Sequence, residues 1–224
     1  MFRSPVAIGL ALLGSALPAL AQSTEGGQAG PRSTLDRNVE VALARSAGPA
    51  LVTEDATVLA WSGDGFEVAE EGDNGVTCYV ARSWPESLEP HCFDEEGSRT
   101  ILPIHLRQME LWHRGVSQAA IDAEIARGLA TGAFRVPTRP AMSYMMSSGQ
   151  RLISDEGHDV GRWEPHLMIY FPYLTESDLG LGALASSDAA VVVDPGTPLS
   201  NIMIVVKSFV EVADPTPGSG DGHR

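Results

Sequence analysis

The sequence predicts an α+β fold: a mainly antiparallel sheet with a helical hairpin inserted between two groups of strands. Three observations predict it. Short β-branched runs separated by Gly-rich turns fill residues 57–81, a helical pattern runs from about Leu102 to Thr131, and strand-like runs return between Met142 and Val210. Strands, then helices, then strands is the order of an α+β domain. No internal repeat is found in the 224 residues.

The chain opens with MFRSPVAIGLALLGSALPALAQ. Arg3 is a short positive start, Val6 to Leu17 is apolar and uncharged, and Ala19-Leu20-Ala21 precedes Gln22 as an A-x-A cleavage site. That three-part layout predicts a secretory signal peptide over residues 1–21. The apolar run falls short of the roughly 20 residues a membrane span needs. No second long apolar run follows, so no membrane span is expected after cleavage. Residues 22–33 (QSTEGGQAGPRS) read as a flexible leader. A single α+β domain is expected over 34–212, with a disordered tail over 213–224 (ADPTPGSGDGHR).

Within the domain, Thr34 is expected to cap a first helix whose apolar stripe is Leu35, Val39 and Leu43, ended by Gly48-Pro49. Three strands follow, Thr57–Trp61, Phe66–Ala69 and Val76–Ala81, joined by Gly-rich turns and read as an antiparallel meander. Cys78 then faces inward, and residues Ser83–Cys92 form a loop tied to the sheet. In the helical region Ser117 is the expected N-cap, Ile121, Ile125 and Leu129 the stripe, and Gly132 the stop. Four more strands are expected at Met142–Met146, Leu167–Phe171, Ala190–Val193 and Ile202–Val210, the last suited to a central position.

Charge excludes one class of partner. The chain carries 15 basic and 29 acidic residues, a net charge of −14, which loss of Arg3 makes −15. Such a surface repels nucleic acid. The helix–Gly115-Val116-Ser117–helix order that mimics a DNA-binding helix-turn-helix is therefore read as structural.

The two cysteines, Cys78 and Cys92, are expected to form a disulfide, as befits an exported chain. Closing a loop of this size is worth roughly 3 kcal/mol in the chain-entropy model. A metal site from Cys78, His91 and Cys92 lacks both a fourth ligand and C-x-x-C spacing.

The segment with most chemistry is Arg162-Trp163-Glu164-Pro165-His166-Leu167-Met168-Ile169-Tyr170-Phe171-Pro172. Strand alternation puts Leu167, Ile169 and Phe171 on a core face, with His166, Met168 and Tyr170 on the other. Three readings follow. The strand is buried on both sides, with His166 hydrogen-bonded and the methionines filling gaps. Alternatively His166, Met168, Tyr170 and Tyr144 floor a small-ligand pocket. Or His166 and Met168 offer a nitrogen and a thioether to copper, with His158 adding a further nitrogen. A zinc-dependent hydrolase drawn from Asp155, Glu156, His158, Asp159, Glu164 and His166 is also conceivable, since carboxylates and imidazoles bind zinc and activate water. His158 and His166 are separated by Gly157, Gly161 and Pro165, so no single element presents both. Most of the 155–164 charges read as a solvated loop, and the His91 and Asp94 pair beside the cysteines reads the same way. G-x-S-x-G, H-E-x-x-H and Walker A patterns are absent from the domain.

Four blocks carry a resemblance: Gly72-Asp73-Asn74-Gly75-Val76-Thr77-Cys78, Pro90-His91-Cys92-Phe93-Asp94-Glu95-Glu96-Gly97, Tyr144-Met145-Met146-Ser147, and Pro165 through Leu174. Across residues 50–210 the chain resembles a family of secreted bacterial proteins without an assigned activity. The resemblance implies a shared fold and compartment, and carries over no catalytic residue. The expectation is an exported domain, periplasmic or secreted, that binds a small molecule or serves an envelope component as an accessory. A metal-dependent hydrolase at His158 and His166, and copper binding at His166 and Met168, are the alternatives.

Overall fold

The computed structural model describes residues 34–83, 86–154, 156–180 and 190–215. The expected signal peptide and leader, Asp155 and most of the expected tail lie outside the described residues.

The order of elements is α1 (Arg37–Arg45), α2 (Ala50–Thr53), β1 (Thr57–Trp61), β2 (Phe66–Glu70), β3 (Thr77–Ala81), β4 (Glu89–Phe93), α3 (Glu95–Thr100), α4 (Leu102–His113), α5 (Gln118–Thr131), β5 (Ala141–Met145), β6 (Leu152–Ile153), β7 (Asp159–Gly161), β8 (His166–Tyr170), β9 (Ala190–Val193) and β10 (Asn201–Val205). Eight strands form one sheet in the order β2-β1-β3-β4-β5-β8-β10-β9, and β6 with β7 forms a separate ribbon. The fold is α+β with a mostly antiparallel sheet, as expected.

One pairing departs from a meander. β1 and β3 run parallel, with Thr57 opposite Thr77 and Val58 opposite Cys78. The chain leaving β2 therefore crosses the start of β1 to reach its far side. Gly72 makes the crossing possible: a Cβ there would lie 2.3 Å from the backbone of Asp55, Ala56 and Thr57. Thr57 N–H donates to the Val76 carbonyl (2.9 Å) and Asp73 N–H to the Asp55 carbonyl (3.1 Å), closing the crossing.

The residues expected as a loop up to Cys92 contain β4 instead. β3 and β4 are antiparallel neighbours with Cys78 opposite Cys92, and the two form a disulfide. Pro90 makes this segment look unlike a strand, but all five β4 residues are buried, so burial prevails over propensity. The last strand stops at Val205 rather than Val210. Val206 N–H donates to the Pro165 carbonyl (2.8 Å), and Lys207 and Ser208 are exposed. β10 lies between β8 and the edge strand β9.

The first helix begins later than expected. Asp36, not Thr34, is its cap, accepting from Asn38 and Val39 N–H. Its buried face is Glu40, Leu43 and Ala44, continued by Ala47, while Val39 stays exposed. A carboxylate displaces the expected apolar stripe because it has a partner. Glu40 receives both terminal nitrogens of Arg82 (3.1 and 3.0 Å) and the Trp61 backbone N–H (2.9 Å). Both side chains are almost fully buried. In α5, Ile121 and Ile125 are buried and Leu129 half-buried, and Gly132 ends the helix at φ 75°. Ser117 occupies the N-cap position without a side-chain cap bond.

Helices lie on both faces of the sheet. On one, Leu43, Ala44 and Ala47 from α1 and its C-terminal flank pack with Val58, Cys78, Val80 and Cys92. On the other, Ile101, Leu102 and Met109 pack with Tyr79, Phe93, Ala141 and Tyr170, and α5 covers α4 through Ile104, Leu111, Trp112, Ile121 and Ile125.

Two outcomes are expected. Under denaturing conditions without reductant, alkylation adds no mass, and reduction exposes two thiols. Arg82→Met or Glu40→Leu alone leaves a buried charge without its partner and destabilises by about 3–5 kcal/mol, whereas the double variant recovers most of that loss. Denaturant unfolding of all three variants measures both terms.

Candidate ligand-binding cleft

The residues of the His166 strand do not converge on one pocket. β8 pairs with β5 so that Met145 faces His166 and Tyr144 faces Leu167. Alternation then puts His166, Met168 and Tyr170 on the side covered by α3 and α4, where Tyr170 and Met168 join the core cluster. Tyr144 lies on the opposite side, half-buried against the α1 cluster. The sheet itself separates them. The expected core face is also reversed: Leu167, Ile169 and Phe171 are half-buried, whereas His166 and Tyr170 are buried. The reason is where the helices sit: α3 and α4 pack on the His166 side, while α1 packs over β1, β3 and β4 on the other.

His166 donates from Nδ1 to the Glu164 carbonyl (2.7 Å), which leaves Nε2 without its proton. Met168 Sδ accepts from the Tyr170 hydroxyl (3.8 Å). His158 is exposed between β6 and β7. Among the described residues no group of three or more His, Cys, Asp or Glu is placed to hold a metal ion. His91 and Asp94 also part company: Asp94 caps α3 through Gly97 N–H (2.8 Å), and His91 is buried in β4.

His91 belongs to an aromatic row missed by the sequence reading. Its ring lies near-parallel to both Tyr79 (5.7 Å) and Phe93 (4.6 Å), and His105 from α4 stands edge-on to it at 5.6 Å. Tyr79 Oη and His105 Nδ1 are 3.0 Å apart. Burial holds His91 well below the ordinary imidazole range, reinforced by repulsion from His105 and His166. Burial pushes His105 down to about 4 and lowers His166, the latter opposed by the Glu164 carbonyl. Burial likewise raises Tyr79 well above the usual phenol value. These are neutral core groups at pH 7. A hollow of about 290 Å³ beside Tyr79 and His105 opens next to Gln108.

The large concavity lies further along the same helices. A cleft of about 1190 Å³ runs between α3, α5, the 134–138 segment and the loops flanking β9 and β10. Its apolar wall is Ile125, Leu129, Phe134, Val136, Pro198 and Leu199, and its polar groups include Arg99, Asp122, Arg135, Tyr173 and Asp194. Gly128 builds the wall. A Cβ there would meet the Phe134 ring at 2.3 Å, and Phe134 N–H donates to the Gly128 carbonyl (3.0 Å), so the chain folds back tightly onto α5. Glu96 fastens the same segment to α3. Its carboxylate accepts from Thr138 N–H (2.8 Å), Arg99 (2.7 Å) and Arg139 (3.3 Å). The Thr138 backbone bond leads in holding Glu96 down at about 2.

The opposite lip carries backbone strain. Among the described residues, Tyr173 (φ 65°) and Asp194 (φ 50°) are the non-glycine positions with positive φ. Both line this cleft. Such a conformation costs about 1–3 kcal/mol at a non-glycine residue and persists only where the surroundings impose it. Here Tyr173 N–H donates to the Thr197 carbonyl and Gly196 N–H to the Leu174 carbonyl, both at 2.7 Å. Ser200 Oγ donates to the Asp194 carbonyl (2.9 Å). Tyr173 is nevertheless 60% exposed. Two signals for this site were present in the sequence: a glycine in the middle of α5, and a tyrosine directly after Pro172.

Stability is expected to fall in two acid windows. The histidines have folded pKa values below their unfolded value near 6.5, so the unfolded chain binds more protons between those limits. Their contribution is complete above 6.5 and is lost as pH falls below it, with net proton uptake on unfolding in that range. Glu96 contributes above its unfolded pKa, and that contribution is lost from about 4.5 down to about 2. Urea midpoints across pH 3–8 measure both slopes, and His105→Gln flattens the upper one.

No family model, curated protein or solved structure matches the chain.

Proposed function

We propose that the protein is an exported domain that binds a small ligand in the cleft between α3, α5 and the loops flanking β9 and β10. The observation that carries the reading is the coincidence of two strained non-glycine residues, Tyr173 and Asp194, with the mouth of a large, mostly apolar cleft. Strain of this kind clusters at sites where a side chain must be held in one place for function. Apolar walls with a few polar groups are the usual composition of small-molecule sites.

Export is supported by the N-terminal sequence and by the Cys78–Cys92 disulfide, which suits an oxidising compartment. No described helix is long and apolar enough to cross a membrane. The Tyr79–His105 pair is poorly poised for proton transfer, since a general acid or base works best with a pKa near the operating pH, whereas His105 sits at about 4 and Tyr79 is raised. The zinc hydrolase at His158 and His166 and copper at His166 and Met168 gain no support from the geometry. An accessory role in the envelope is compatible with the same cleft.

Two variants test the reading in a thermal-shift screen of small amphipathic compounds. A compound that stabilises the wild type at saturation loses its effect on Leu129→Glu, whose half-buried side chain lines the wall. At a hundredfold excess over Kd the expected stabilisation is about 2.7 kcal/mol. Tyr173→Gly relieves the backbone strain, so its unliganded Tm stays level or rises while binding weakens. Equal shifts in the wild type and both variants would falsify the cleft as the site.

A further inference from the structure

We propose that the ligand of the cleft is an apolar zwitterion, of which a short apolar peptide with both termini free is the simplest case. This rests on the cleft being the binding site. The argument comes from which charges around the cleft are already satisfied.

Arg99 is tied to Glu96 (2.7 Å), and Glu96 is further occupied by Thr138 and Arg139. Asp122 accepts from Gln118 (2.8 Å). Two charges remain. Arg135 is exposed and, alone among the described arginines, makes no ion pair, hydrogen bond or ring contact. Every other described arginine is engaged: eight in ion pairs, Arg37 with the Val68 and Ala69 carbonyls, and Arg162 with Ser148 and the Phe209 ring. A lone unpaired guanidinium on a chain of net charge −14 is a position where carboxylate partners are plentiful but none is supplied. The second is Asp194. Its backbone carbonyl is fixed by Ser200 and Thr197, while its carboxylate accepts no hydrogen bond and meets no cation among the described residues. Asp194 lines the cleft with its backbone held at φ 50°.

Arg135 follows α5 beside Phe134, and Asp194 belongs to the β9–β10 loop; both line the same cleft. The cleft therefore combines an apolar wall with one free cation and one free anion carried by different segments. A carboxylate meets the Arg135 fork in the bidentate geometry that guanidinium favours. An ammonium meets Asp194, with the exposed Tyr173 ring beside it as a second cation acceptor. Apolar side chains fill the wall between them.

The test is calorimetric titration of the intact protein with trileucine, its N-acetyl form and its C-terminal amide. The free peptide is expected to bind at least tenfold more tightly than either blocked form, about the effect of one charge-assisted hydrogen bond. Arg135→Gln weakens the free and acetylated peptides by a similar factor and leaves the amide unchanged. Asp194→Asn weakens the free peptide and the amide and leaves the acetylated form unchanged. Leu129→Glu abolishes binding of all three. If the three forms bind equally well and lose binding only with Leu129→Glu, the zwitterion assignment is overturned and the cleft stands. If the peptides bind and Leu129→Glu has no effect, both fall; if none binds, the zwitterion assignment is overturned and the thermal-shift screen alone decides the cleft. Unliganded Tm values identify any variant that fails to fold, in which case Arg135→Met and Asp194→Ser replace it.

Discussion

The buried Glu40–Arg82 pair is the constraint on which the rest of the structure depends. Arg82 follows β3 directly, and Glu40 sits in the middle of α1. Their two parallel hydrogen bonds fix the height and rotation of the helix over the sheet, and the Trp61 N–H ties the end of β1 to the same carboxylate. Taking both charges out of water is unfavourable unless each finds its partner. The pair therefore selects one docking of α1 and penalises the alternatives. With α1 docked, Leu43, Ala44 and Ala47 seal the face that carries the Cys78–Cys92 disulfide.

The sheet then divides the molecule into surfaces with different duties. Beneath α3 and α4 the groups are buried, aromatic and neutral: Tyr79, His91, Phe93, His166 and Tyr170, with the half-buried His105 of α4 against them. Their polar atoms are partly paired, as in Tyr79 with His105 and His166 with Glu164. His91 Nε2, Ser143 Oγ and Asn201 Oδ1 find no partner there. The consequence is a core sensitive to acid. Outside α4 and α5 the organisation is the reverse. The cleft is open, its wall apolar, and its rim carries the backbone strain and the two unsatisfied charges. A rigid interior supports a rim on which unfavourable geometry is tolerated.

Much of the fold was legible because it follows from local pattern. β1, β2, β3, β5 and β9 lie within a residue or so of the runs that predicted them. α5 shows its stripe and its glycine stop, and the two cysteines pair. β4 was not legible, because Pro90 and a histidine disguise a strand whose burial on both faces is supplied by its neighbours. The cleft was not legible either. It is assembled from α3, α5 and two loops that are distant in sequence, and each contributes residues that are unremarkable alone. Arg135 looks like any surface arginine until every other described arginine is seen to be engaged.

The sequence by itself determined the periodicities, the turns, the disulfide and the acidic net charge, because each depends on neighbouring residues or on composition. Only the tertiary structure decided that β1 and β3 run parallel, that a glutamate rather than a valine faces inward from α1, and that the His166 face is core. The physical reason is the same in each case. Alternation along a strand or helix says which residues share a face, but which face is buried depends on what the rest of the chain packs against it. For β8 the helices took the polar-looking side, and the residues expected to carry chemistry there became core, while the open cleft lies beyond them.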